Sequence, residues 1–161
     1  TDDYLKIIEG KTASLIKTSA KLGAMASGCK QETISSISKW AWHSGIIFQI
    51  TDDILDLSSD EKTLGKPSGN DIIEGTYTLP VLIALEKYPE KINKILSDIS
   101  ENKVGVNEVI NEFNNDEIIS ESKLFLKTHL EKSESAAKEI DNKTVRNILL
   151  DINTYLIERS N

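Results

Sequence analysis

The chain has 161 residues, 39% of them hydrophobic and 28% charged, with a net charge of −7; that is ordinary for one globular domain with a real core. No basic block or Arg-rich stripe offers a nucleic-acid surface, and the single cysteine, Cys29, allows neither a disulfide framework nor a cysteine metal cluster. That lone free thiol fits a reducing cytoplasm, the expected compartment; no apolar run reaches membrane-span length and no signal peptide is visible.

Three prolines, eight glycines and no sustained strand-like alternation predict a nearly all-α chain. Asp2 or Asp3 is expected to cap a first helix running to about Gly28, with Leu5, Ile8, Thr12, Leu15, Ile16, Leu22 and Met25 near helical spacing. Its end, KLGAMASG, is rich in small residues that permit a close helix crossing. A second helix is expected from Gln31–Thr33 to about Ser58, roughly 40 Å long at 1.5 Å per residue. Its apolar residues, from Ile34 and Trp40 to Ile54 and Leu55, spread around much of the circumference, which predicts burial on more than one side. Residues 59–75 read as a polar loop punctuated by Gly65, Pro67, Gly69 and Gly75. Helices follow at about 76–87, 89–100, 106–114, 116–140 and 143–158. No repeat or linker divides the chain, so 1–161 is expected to be a single all-α unit. It starts at Thr1 and runs at once into helix, and is expected to be a piece whose beginning lies upstream.

The second helix places Asp52, Asp53 and Asp56 where its apolar stripe should run on. Asp52 and Asp56 lie four apart on one face, Asp53 sits about 100° round from Asp52 and three before Asp56, and all three are expected to converge on one locus beside the helix. Unpaired, such acids raise one another's pKa. A divalent cation removes the conflict, and carboxylate oxygens suit Mg²⁺, which keeps waters and shares its shell with substrate phosphates. A solvated acidic face, or an N-cap for the next segment, is the alternative, weakened by the interleaved Ile50, Ile54, Leu55 and Leu57. A calcium loop counted from Asp56 fails, because Glu61 stands where glycine is required.

Downstream, LGKPSGND sets Lys66 between turn residues and then supplies Asp71. Glycine lets backbone approach an anion and lysine adds a point charge. The spacing is not that of a Walker A loop, and a surface turn is the alternative. On the first helix, Lys11 and Thr12 sit beside small and apolar residues, where a snorkelling lysine is the plainer account.

Together these stretches resemble the C-terminal half of the trans-polyprenyl diphosphate synthase (trans-prenyltransferase) family. EGKTASLI resembles the family's lysine–threonine helix, FQITDDILD its second DDxxD motif with the preceding Phe-Gln, and GKPSGNDIIEGTYTLP the segment that follows. Order and spacing agree from about residue 4 to residue 86, and the rest matches as generic helix. KLGAMASG and GNDIIEGTYTLPVLIAL are most similar to catalytic subunits of bacterial medium-chain synthases, such as component II of heptaprenyl diphosphate synthase. The resemblance implies half of an isoprenoid-synthase-type helical bundle. It also implies an activity: an allylic diphosphate ionises, isopentenyl diphosphate attacks the cation, and a proton is lost. Asp52 and Asp56 would hold Mg²⁺ on the allylic diphosphate, with Asp53 as ligand or support and Asp71 reaching the same ions or their waters. Lys11 and Lys66 would hold the diphosphate. Thr12 and Gln49 would turn oxygens toward the allylic cation, and Phe48 is a candidate to line the isoprenoid tunnel.

Two departures stand out. Thr76 occupies a position that is often lysine in the family. The first aspartate-rich motif and the basic residues for isopentenyl diphosphate belong to the family's N-terminal half, and TDDY does not replace them. The implied partners are therefore that N-terminal half, in a homo- or hetero-oligomer with a small regulatory component, and a transient contact with the membrane edge. A non-catalytic or regulatory subunit, and a helical metal-binding module without chemistry, are the alternatives. His43 and His129, without metal-ligand spacing, are expected to be ordinary core or surface histidines. Trp40 and Trp42 are expected in packing, with Trp42 a second candidate to line the tunnel. The charged residues around Glu131, Glu134 and Lys138 are expected on a solvated face, and Arg159 is a candidate lid residue.

Overall fold

The computed structural model of the protein describes residues 1–58 and 68–159. Lys66 lies outside them. Among the described residues there is no strand. The elements are α1 (Asp2–Ile8), a π-helical turn (Glu9–Ala13), α2 (Ser14–Ala26), α3 (Gln31–Ser58), α4 (Asn70–Ile73), α5 (Leu79–Lys87), α6 (Pro89–Ser100), α7 (Val106–Val109), a 3₁₀ turn (Ile110–Glu112), α8 (Asp116–Lys138) and α9 (Lys143–Glu158). No helix of the described residues is long and apolar enough to cross a membrane.

The first helix departs most from expectation. Asp2 and Asp3 lie in its first turn rather than at its cap. The Ser14 N–H donates to the Glu9 carbonyl, five residues back, so one extra residue is accommodated in the turn. The inward positions therefore run Tyr4, Ile8 and then Ala13, and continue through Ala20 to Ala24. Leu15, Leu22 and Met25, expected near the inward stripe, are 68%, 58% and 53% exposed. A regular 3.6-residue period cannot anticipate a phase shift inside the helix. Downstream of it Ile16, expected on the inward stripe, does pack against the core with Ala20, and Ala24 is buried.

The chain divides into two compact units. One contains Asp52–Leu124 with Thr1; the other contains Asp2–Thr51 and Phe125–Asn161. In the first unit Phe113, Ile92, Ile118, Leu79 and Val81 are fully buried. α5 begins three residues later than expected, because Thr78 is extended (ψ 169°) and Pro80 stands in the first turn, where its missing N–H costs nothing. Pro89 starts α6 in the same way. The Gly105 N–H donates to the Glu108 carboxylate, closing the first turn of α7.

In the second unit the core gathers Trp40 and Ala41 of α3, Ala136, Ala137 and Ile140 around the end of α8, and Leu149 of α9. The Trp40 indole N–H donates to the Leu149 carbonyl at 3.2 Å, so a large ring is buried without orphaning its donor. Ser44, Ser133 and Asn153 form a buried polar knot linking α3, α8 and α9. Asn142 caps α9 by accepting from the Val145 N–H.

Candidate functional site

The acidic run occupies the C-terminal end of α3, where an inward face continues through Ile54 and Leu57. Asp53 is 2% exposed, Asp56 1%, and Asp52 partly exposed. Their neighbours differ. The Asp53 carboxylate receives the Leu79 N–H in a long contact of 3.5 Å. Thr78, at the cap position of α5, provides no side-chain hydrogen bond of its own. Asp53 thus serves the α5 N-terminus, where the helix dipole favours a negative charge.

Asp56 faces the returning chain instead. Its carbonyl receives the Gly69 N–H at 2.8 Å, and its carboxylate receives the Asp71 N–H at 3.3 Å. Gly69 adopts φ +73°, and a Cβ there would lie 2.9 Å from Val106 Cγ2. Both facts favour glycine at this turn. The turn sets Asp71 in α4 beside Asp56. The Asp71 carbonyl in turn receives the Thr76 N–H at 2.8 Å, and Thr76 itself is exposed.

The structure therefore brings Asp71 to Asp56 but does not gather all three helix acids at one point. Among the described residues no group of three or more His, Cys, Asp or Glu side chains is placed to hold a metal ion. The geometric reason is the 100° step between Asp52 and Asp53, which turns Asp53 toward α5. What remains is a pair of oxygen donors four apart on one helix face, Asp52 and Asp56, with Asp71 adjoining. Mg²⁺ is commonly held by one or two carboxylates together with waters and phosphate oxygens. The donor set fits that ion in number and chemistry.

In the other unit, Lys11 and Thr12 lie within the π-helical turn, Lys11 exposed and Thr12 half-buried. The Thr12 hydroxyl donates to Gln49 Oε1 at 2.8 Å. Phe48 is half-buried, with the Arg159 guanidinium 5.5 Å from its ring centroid, within cation–π range. This brings the lid candidate to the tunnel-lining candidate.

The histidines, expected to be ordinary core or surface residues, are half-buried and buried and are in contact. His43 Nδ1 and His129 Nδ1 are 3.1 Å apart, and the Trp42 ring packs against both. The Trp42 N–H donates to the Glu9 carboxylate at 3.1 Å. Burial first, then the charges of His129 and Lys132, push His43 down to about 4. His129 is lowered as well, by burial and then by Lys132. Such a pair is neutral near pH 7, one ring donating to the other. No sequence signal announces it, because 86 residues separate the two.

The architecture is that of the all-α isoprenyl diphosphate synthases. All of this chain superposes on 51% of the heptaprenyl diphosphate synthase from Staphylococcus aureus, at a TM-score of 0.88 and 30% identity. It belongs to the polyprenyl synthetase family, whose model matches residues 1–116. It is 33% identical over 156 residues to heptaprenyl diphosphate synthase component 2 of Bacillus subtilis, spanning 97% of this chain and 45% of that protein. Geranylgeranyl pyrophosphate synthase from Corynebacterium glutamicum, whose crystal structure is a complex with calcium and isoprenyl diphosphate, superposes on 99% of the chain. There the TM-score is 0.85, with 27% identity and 50% of that chain covered. The chain spans half or less of the length of the curated relatives it matches.

Proposed function

We propose that the chain supplies the second aspartate-rich half of a trans-prenyltransferase. Together with an N-terminal half carrying the first acidic motif, it joins isopentenyl diphosphate to an allylic diphosphate and makes a medium-chain polyprenyl diphosphate. The observation that carries the reading is the DDILD run of α3, with Asp71 returned against Asp56, in a chain of the polyprenyl synthetase family. The Corynebacterium glutamicum relative, which holds calcium and isoprenyl diphosphate, supports a divalent cation with the same class of substrate.

In this reading Asp52 and Asp56 would hold Mg²⁺, with Asp71 beside them, while Asp53 accepts from the Leu79 N–H at the start of α5. A divalent cation held there would supply positive charge against the diphosphate that departs. Lys11 and Lys66 hold that diphosphate. Thr12 and Gln49 face the allylic carbon, and Phe48 lines the apolar path. The charged substrates and greasy product suit a cytoplasmic protein working at the membrane edge. A second, regulatory subunit is in keeping with the component-type relatives.

Calorimetry tests the proposal. The chain is titrated with Mg²⁺ and an allylic diphosphate analogue, singly and together, with and without the N-terminal half. Heat that appears only when metal and diphosphate are both present supports it. Metal binding indifferent to diphosphate overturns it.

A further inference from the structure

Two helices approach closely beside the Thr12–Gln49 hydrogen bond, at the residue after Thr12 and one turn before Gln49. At the crossing, α3 presents Gly45 to Ala13, which is fully buried. A Cβ on Gly45 would lie 2.6 Å from Ala13 Cα, 3.0 Å from its Cβ and 3.4 Å from its N. The first obstacle is backbone, so no rotamer change relieves it. Any side chain at position 45 forces the helices apart by about 1 Å to reach ordinary carbon–carbon contact.

That contact is coupled to the functional pair by chain geometry. Gln49 lies one helical turn beyond Gly45 and shares its face. Thr12 is the residue before Ala13, and the π-helical turn makes Ala13, not Thr12, the inward position after Ile8. Thr12 is thereby left half-buried at the edge of the crossing, 2.8 Å from Gln49. Parting the helices at Ala13 lengthens this bond beyond hydrogen-bonding range. The bond has a chemical consequence. A threonine hydroxyl has one proton and two lone pairs. While the proton is committed to Gln49, only lone pairs remain for a neighbouring substrate, which is the polarity a developing carbocation requires.

We propose that Gly45 is a positioning residue. Its missing side chain, acting with the π-helical turn, holds the Thr12 hydroxyl proton on Gln49, so that the Thr12 oxygen presents lone pairs to the reacting carbon. The catalytic part of this rests on the trans-prenyltransferase reading above; the geometric part does not.

The test uses Gly45→Ala, with Ala13→Ser adding one atom to the same contact from the opposite helix. Thr12→Val and Thr12→Ser are the references. The Gln49 side-chain amide is followed by NMR in the isolated chain, and turnover is measured after assembly with the N-terminal half. Thr12→Val sets the amide position without the bond, and Thr12→Ser keeps the wild-type position. Gly45→Ala and Ala13→Ser are expected to retain helix content and to move the Gln49 signal to the Thr12→Val position. They are expected to lower kcat about 100-fold, the scale of a 1 Å misplacement, with KM for either diphosphate little changed. A folded variant of either kind whose Gln49 signal stays at the wild-type position overturns the proposal. So does a moved signal with kcat within about twofold of wild type, well short of that misplacement scale. If no wild-type assembly turns over, the functional reading and the catalytic part fall together, and the amide signal still decides the geometric part.

Discussion

Asn153 joins the buried polar knot of the second unit to two other helices. Its side chain is 1% exposed on α9. Its Oδ1 accepts from Ser44 at 2.8 Å and from Ser133 at 3.3 Å, and its Nδ2 donates to Ser133 at 3.0 Å. Asn153→Ala removes all three contacts at once. Ser44 and Ser133 are 2.9 Å apart, and Ser133 also reaches the Trp40 carbonyl at 3.3 Å, so both hydroxyl donors can be re-satisfied. The cost is then the lost bonds, at about 1 kcal/mol each, plus a small cavity, or about 2–4 kcal/mol altogether. Urea denaturation followed by far-UV circular dichroism measures it. The pairwise part comes from a cycle with Ser44→Ala, where a coupling of about 1 kcal/mol is expected, since either substitution alone removes the Ser44–Asn153 bond. A total below about 0.5 kcal/mol, the range of ordinary surface substitutions, would refute the reasoning, as would a coupling of zero.

The histidine pair predicts a pH dependence. His43 titrates near 4 when folded and near 6.5 when unfolded, so below 6.5 the unfolded chain binds more protons. Stability is expected to fall as pH drops from about 6.5 toward 4, by about 1–2 kcal/mol after allowance for the half-exposed ring. His43→Gln should flatten that limb of the denaturation profile; an unchanged slope speaks against the pair. Gly69→Ala should cost about 1–2 kcal/mol for its left-handed backbone. Adding Val106→Ala should relieve only the steric share, and equal stability of Gly69→Ala and wild type in urea would contradict the turn geometry. On the proposed reading, Asp52→Ala in the chain assembled with an N-terminal half should lower turnover by about 100- to 1,000-fold with helix content unchanged. Near-normal turnover would overturn the proposal that Asp52 holds Mg²⁺.

Much of the fold is legible in the amino-acid order because its cues are local. Capping, proline placement and apolar period locate α3 within a residue or two, and place α6, α8 and α9 closely. The acidic run is conspicuous for the same reason: carboxylates interrupting an apolar stripe are visible without any partner. The start of α5 and the phase of the first helix were harder, because an extended Thr78 and a single inserted residue leave no periodic trace.

Three things depended on segments distant in sequence. Asp53 meets the Leu79 N–H only because the fold brings the start of α5 to it. His43 and His129 become a pair only because α3 and α8 pack side by side. Gly45 reads as an ordinary mid-helix glycine until Ala13 is seen against it. Local order establishes an all-α chain with its acidic motif, since periodicity and repulsion act within a few turns of helix. Which acid faces which neighbour, and which two side chains share one proton, is settled by packing, since those contacts join residues that only the folded chain brings together.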